Sequence, residues 1–262
     1  MAFVDIDGGR LHYRVDGAAD APALVLSNSL GTSLSMWETQ LPTLSRHFRV
    51  LRYDSRGHGQ STVTPGPYSI ELLARDALVL LNALDLERVH FCGLSMGGMI
   101  GMWLAIHAPE RINRLVLSNT APRIAPPELW NTRIETVRNG GMKAITDGVI
   151  GRWFTQAFIA RAPEAVEAVR QGLLSTPPEG YIGCCAAIRD MDQRGEVEQI
   201  QAPTLVISGT HDVATTPADG RFLVERIAGA RYTELAAAHL SNIEAADQFT
   251  EAVLKFLNGQ GV

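Results

Sequence analysis

Residues 93–97, Gly93-Leu94-Ser95-Met96-Gly97, have the form G-x-S-x-G; they follow the apolar run 89–92 and precede the helix-like stretch 99–107. In a strand-turn-helix setting the serine occupies strained backbone, and the residues two before and two after it must lack side chains so that helix and strand can approach. Its hydroxyl then points into a cleft at a helix N-terminus, where the dipole favours developing negative charge. Ser95 is therefore read as a nucleophile. A serine hydroxyl attacks only when a base takes its proton, and that base needs a third group to fix its tautomer and stabilise its charged form.

In the template that accompanies such an elbow, the acid and then the histidine follow the nucleophile in chain order. Residues 203–209, PTLVISG, read as a strand ending in a glycine turn, and Thr210-His211-Asp212 follow, which nominates Asp212 as the acid. Residues 231–235 read as the last strand, and the loop Ala236-Ala237-Ala238-His239 nominates His239 as the base. His211 competes, but neighbouring residues at a strand end point apart. His58, in the glycine-rich turn 54–61, is read as structural, and His12, His47, His90 and His107 as packing or surface residues. An oxyanion needs two donors. One is the amide of Met96; the other is assigned to Leu30 in the loop 27–32, SNSLGT, whose side chain also suits a pocket wall.

The elements that must position these residues are legible as patterns. Residues 3–6 and 11–15 alternate around Asp7-Gly8, a hairpin signal. The apolar runs 23–26, 50–53, 89–92, 115–117 and 204–207 suit strands buried on both faces of a parallel sheet. Between them lie helical spacings such as 69–84, with Ile70, Leu73, Ala74, Ala77, Leu78, Leu81 and Leu84 on one stripe. The fold class expected is α/β, a mostly parallel sheet with helices on both faces. The alternation breaks between about 121 and 201, which reads as several short helices. The domain expectation is thus a core of 1–121 and 202–262, with 122–201 inserted after the sixth strand as a helical lid over the strand ends, where ligands of open α/β sheets bind.

The 262 residues carry 23 Lys+Arg against 28 Asp+Glu, a net charge of −5, which argues against nucleic acid as a partner. Apolar residues at 46% argue for a packed domain and against disorder. No leader pattern is visible at the N-terminus, and Cys92, Cys184 and Cys185 make no disulfide framework, so a reducing, cytoplasmic location is expected. The uncharged run 91–108 contains the elbow glycines and is not read as a membrane span. No metal-ligand cluster and no G-x-G-x-x-G after the first strand is present, so a reaction without metal or cofactor is expected. The expected partner is a small-molecule substrate, acted on by a monomer or small homo-oligomer.

With Ser95, Asp212 and His239 in hand, the chain resembles the α/β-hydrolases over its whole length. More narrowly it resembles the 3-oxoadipate enol-lactonases of aromatic catabolism, through residues 27–32 with Met36-Trp37, through 53–59 (YDSRGHG), through 93–98 (GLSMGG) and through Arg152-Trp153-Phe154-Thr155. Many relatives carry His-Gly in the oxyanion loop, whereas this chain has Asn28-Ser29, as the enol-lactonases do. The resemblance implies a serine hydrolase of the β-ketoadipate pathway that opens the enol-lactone of 3-oxoadipate through an acyl-enzyme. A carboxylesterase, a cofactor-free perhydrolase or a carbon–carbon bond hydrolase with the same triad is the alternative, and a small-molecule receptor the non-enzymatic one. The substrate's carboxymethyl arm would need a cation under the lid. Arg133, three residues after Trp130 on one helical face, is assigned to it, with Trp153 as a second wall and Arg123, Arg138 and Arg152 as rivals. Arg133 as a solvated charge and both tryptophans as lid core remain open.

Overall fold

In the computed structural model the described residues are 2–124 and 126–260; Met1, where the leader reading starts, lies outside them. The Asp7-Gly8 turn, with Gly8 at φ +77°, joins β1 (Ala2–Ile6) to β2 (Gly9–Asp16) in an antiparallel pair. The remaining strands are β3 (Ala23–Ser27), β4 (Arg49–Tyr53), β5 (Val89–Leu94), β6 (Ile112–Ser118), β7 (Thr204–Gly209) and β8 (Arg231–Leu235). They form one eight-stranded sheet of order β1-β2-β4-β3-β5-β6-β7-β8, antiparallel at β1/β2 and β2/β4 and parallel from there to β8. Every residue of β5 and β7 is buried, the reason their sequences are apolar on both faces rather than alternating, with His90, Thr204 and Ser208 the buried polar exceptions.

The helices are α1 (Leu41–Leu44), α2 (Ile70–Ala83), α3 (Met96–His107), α4 (Pro127–Gly140), α5 (Lys143–Trp153), α6 (Gln156–Arg161), α7 (Pro163–Leu174), α8 (Pro178–Asp190), α9 (Pro217–Arg226), α10 (Ser241–Glu244) and α11 (Ala246–Leu257). α1 packs with α11 and α2 with α3, so helices cover both faces of the sheet. Helix α2 starts where Ser69 accepts a hydrogen bond from the Leu72 amide, and its buried stripe differs slightly from the expected one. Leu80 is buried, Leu78 and Leu84 only partly so, and Asp76 joins the stripe because Arg56 bonds both its oxygens, at 2.6 and 2.8 Å. The uncharged run 91–108 is β5, the elbow and the central helix α3. Among the described residues no helix is long and apolar enough to cross a membrane. Helices α4 to α8, termed the cap, lie between β6 and β7 in the chain.

Candidate active site

Parallel strands end on one side of a sheet, and the segments after β3, β5, β7 and β8 carry Leu30, Ser95 with Met96, Asp212 and His239. Ser95, between β5 and α3, has φ 55° and ψ −115°, a conformation costly for any residue with a Cβ. The flanking glycines follow from steric exclusion. A Cβ on Gly93 would lie 2.1 Å from the Gly97 carbonyl oxygen, and one on Gly97 would lie 2.2 Å from that of Ser27. The Gly97 amide donates to the Asn28 carbonyl at 3.0 Å, fastening α3 to the loop after β3.

Asp212 and His239 are buried and joined by a 2.8 Å hydrogen bond between Oδ2 and Nδ1. The same Oδ2 accepts from the Thr215 hydroxyl at 2.8 Å and from Asn119 Nδ2 at 3.0 Å, while Oδ1 accepts from the amides of Ala214 and Thr215 at 2.8 and 3.1 Å. Burial alone would raise the Asp212 pKa. The charge and hydrogen bond of His239, with the donors of Asn119 and Thr215, outweigh it and hold the carboxyl at about 2. His239 thus presents Nε2 to the cavity that Ser95 also lines, although no Ser95 Oγ to His239 hydrogen bond is formed. His211 is exposed and lines a different depression.

The amides of Met96, at the first position of α3, and of Leu30 have no hydrogen-bond acceptor among the described residues. The loop carrying Leu30 is held from several sides. Asn28 donates to the Tyr53 carbonyl at 2.7 Å and accepts from Trp37 Nε1 at 2.9 Å, and Thr32 bonds the Ser29 carbonyl and the Met36 sulfur. Gly31, at φ +77°, donates its amide to His58 Nε2 at 2.9 Å. Burial lowers the His58 pKa to about 4, against the opposing pull of the Arg56 carbonyl and Asp54, so the ring is neutral at pH 7. Its Nδ1–H goes to Arg56 O at 3.3 Å, which leaves Nε2 as the acceptor that Gly31 requires. The motifs at 36–37 and 53–59 therefore hold the loop 27–32 in place.

Ser29, Leu30, Ser95 and His239 floor a cavity of about 320 Å³, and the cap walls it with Trp130, Arg133, Arg152, Trp153 and Tyr181. The Arg133 guanidinium lies 4.8 Å from the Trp130 ring centroid, on the helical face their spacing implies. Neither Arg133 nor Arg152 is in an ion pair among the described residues. Burial, and then the neighbouring charge of Arg133, lowers the Arg152 pKa. Arg123 pairs with Asp192 and Arg138 with Glu135, both outside this cavity. Sequence reasoning missed Asn119 and Tyr181. The polar run Ser118-Asn119-Thr120 at the end of a buried strand was the available signal for Asn119, which adopts φ 44°; nothing local separates Tyr181 from core.

A family model for the alpha/beta hydrolase fold matches residues 22–140. The chain is 44% identical over 251 residues to 3-oxoadipate enol-lactonase 2 of Acinetobacter baylyi, covering 95% of this chain and 94% of that one. It is 37% identical over 250 residues to 3-oxoadipate enol-lactonase 1 of the same organism, with the same coverage. The crystal structure of the enol-lactonase from Burkholderia xenovorans LB400 superposes with a TM-score of 0.97 at 51% identity, covering 98% of this chain and 100% of the other.

Proposed function

Since the chain belongs to the 3-oxoadipate enol-lactonase family of α/β-hydrolases, we propose that it opens the ring of 3-oxoadipate enol-lactone to give 3-oxoadipate in the β-ketoadipate pathway. The protein is an enzyme, a carboxylic ester hydrolase acting on a small molecule. The observation that carries the substrate assignment is the cavity itself, which holds Ser95 and His239 at its floor and two arginines without carboxylate partners in its wall.

In this reading Ser95 Oγ attacks the lactone carbonyl while His239 Nε2 takes its proton, and Asp212 stabilises the imidazolium through Nδ1. The oxyanion accepts from the amides of Leu30 and Met96. Collapse breaks the ring C–O bond and expels an enolate, which takes the proton held on His239 Nε2 and tautomerises to the ketone, leaving the imidazole neutral for the second half of the reaction. His239 then removes a proton from water, which attacks the acyl-enzyme, releasing the acid and restoring Ser95. Arg133, stacked on Trp130, binds the carboxymethyl arm together with Arg152, and Trp153 closes the other side. A carboxylate taken under the cap would otherwise lose several kcal/mol of hydration without return.

The test follows loss of the enol-lactone's ultraviolet absorbance with purified protein, beside a neutral aryl ester and with Ser95→Ala as control. The expected result is a higher kcat/KM for the lactone and a loss in the variant on the order of 10⁴-fold with folding intact. Preference for the neutral ester, or a variant keeping a tenth of the activity, refutes the reading.

A further inference from the structure

His239 is fixed by more than Asp212. The amides on either side of it, Ala238 N and Leu240 N, both lead into the cap. Leu240 N donates to the Trp153 carbonyl at 3.1 Å. Ala238 N donates to Glu244 Oε2 at 3.0 Å, and that oxygen also accepts from the Thr155 amide at 3.2 Å, while Glu244 Oε1 accepts from the Thr155 hydroxyl. Glu244 is 8% exposed and ends α10, the short helix that follows the histidine loop. Trp153, the last residue of α5, lines the cavity, and Thr155, in the two-residue turn that follows, caps α6 by accepting from the Phe158 amide. One carboxylate therefore spans the histidine loop and the cap wall that meets the substrate.

We propose that Glu244 is a positioning residue that ties His239 to the cap, so that the place of the cavity wall and the aim of Nε2 are set together. The inference rests on reading His239 as the base. Core residues alone leave the loop 236–240 one side-chain tether to its carbonyls, Asn119 to Ala238 O at 3.2 Å, and none to the amides beside His239. The requirement is geometric, because a general base must stand within hydrogen-bond reach of the proton it takes. The amides and the hydroxyl need an acceptor of carboxylate shape, and a glutamine supplies one at Oε1 for both amides while its amide nitrogen faces a hydroxyl that accepts as well as donates.

The experiment measures kcat and KM for Glu244→Ala, Glu244→Gln, Thr155→Val, the Glu244→Ala/Thr155→Val pair and His239→Ala, with thermal melting of each. A misplacement of the order of an ångström predicts that Glu244→Ala lowers kcat by about 10- to 100-fold with KM moving less than about threefold. Glu244→Gln should recover most of the rate, and the double variant should be no worse than Glu244→Ala. Equal losses in the Gln and Ala variants would mean that charge rather than tethering is at work, and multiplying losses in the double variant would mean that no single strap exists; either overturns the proposal. Should Glu244→Ala fail to fold, a folded Thr155→Val with full kcat overturns it. An unimpaired His239→Ala would instead sink the reading of the base, a result distinguishable from failure of the strap.

Discussion

Asp212→Asn separates charge and tautomer from shape. In the native site all five groups around this carboxylate donate to it: His239 Nδ1, the Thr215 hydroxyl and Asn119 on Oδ2, and two backbone amides on Oδ1. An asparagine must turn its NH₂ toward one of these sets. The backbone amides have no alternative to donating, whereas His239 can move its proton from Nδ1 to Nε2, so the NH₂ is expected to face the ring. The histidine is then held in the tautomer that cannot accept the Ser95 proton, and kcat/KM should fall on the order of 10⁴-fold. The same substitution reads out in stability. A carboxyl whose pKa drops from 3.8 to about 2 on folding contributes about 2 kcal/mol at neutral pH. Its folded pKa is the depressed one, so the contribution is complete above about pH 5 and is lost as pH falls through about 2. Denaturation of wild type and variant at pH 7 and pH 3 should show the gap narrowing, with lactone turnover followed by absorbance alongside. A variant keeping more than a hundredth of the activity, or a gap that widens in acid, refutes the assignment; His211→Ala, at an exposed position, should remain fully active.

Arg133→Leu and Arg152→Leu should each reduce kcat/KM for the carboxylate-bearing lactone by roughly 10- to 100-fold, about 1.4–3 kcal/mol, and leave a neutral aryl acetate nearly unchanged; equal losses on both substrates would make them supports of the cap. Gly97→Ala places a methyl 2.2 Å from the Ser27 carbonyl and should cost about 1–3 kcal/mol in chemical denaturation together with most of the turnover, because Met96 moves with the helix start. Gly172→Ala in α7, with nothing within 4 Å of the added carbon, should instead stabilise by about 0.5–1 kcal/mol, and a neutral or stabilising Gly97→Ala would show that the elbow is not packed as described.

What the sequence determined is what local pattern encodes. Continuous apolar runs mark buried parallel strands, and a residue directly after such a run stands at a strand end; this suffices to nominate Ser95, Asp212 and His239. Of the elbow glycines, Gly93 is legible for the same reason, since its constraint acts against Gly97 four residues away, whereas the constraint on Gly97 comes from the Ser27 carbonyl at the end of the neighbouring strand. Tertiary structure decided the partners. Asn119 meets Asp212 across 93 residues and Gly31 meets His58 across 27 because the sheet order brings their loops side by side, and Glu244 meets Thr155 across 89 because the turn between α5 and α6 packs on the end of α10; no periodicity records such pairings. The arginines obey the same logic. Arg133 could be singled out because Trp130 lies on its own helical face, whereas Arg152 and Tyr181 come from α5 and α8, and only the packing of those helices over the strand ends turns them toward the cavity that Arg133 lines.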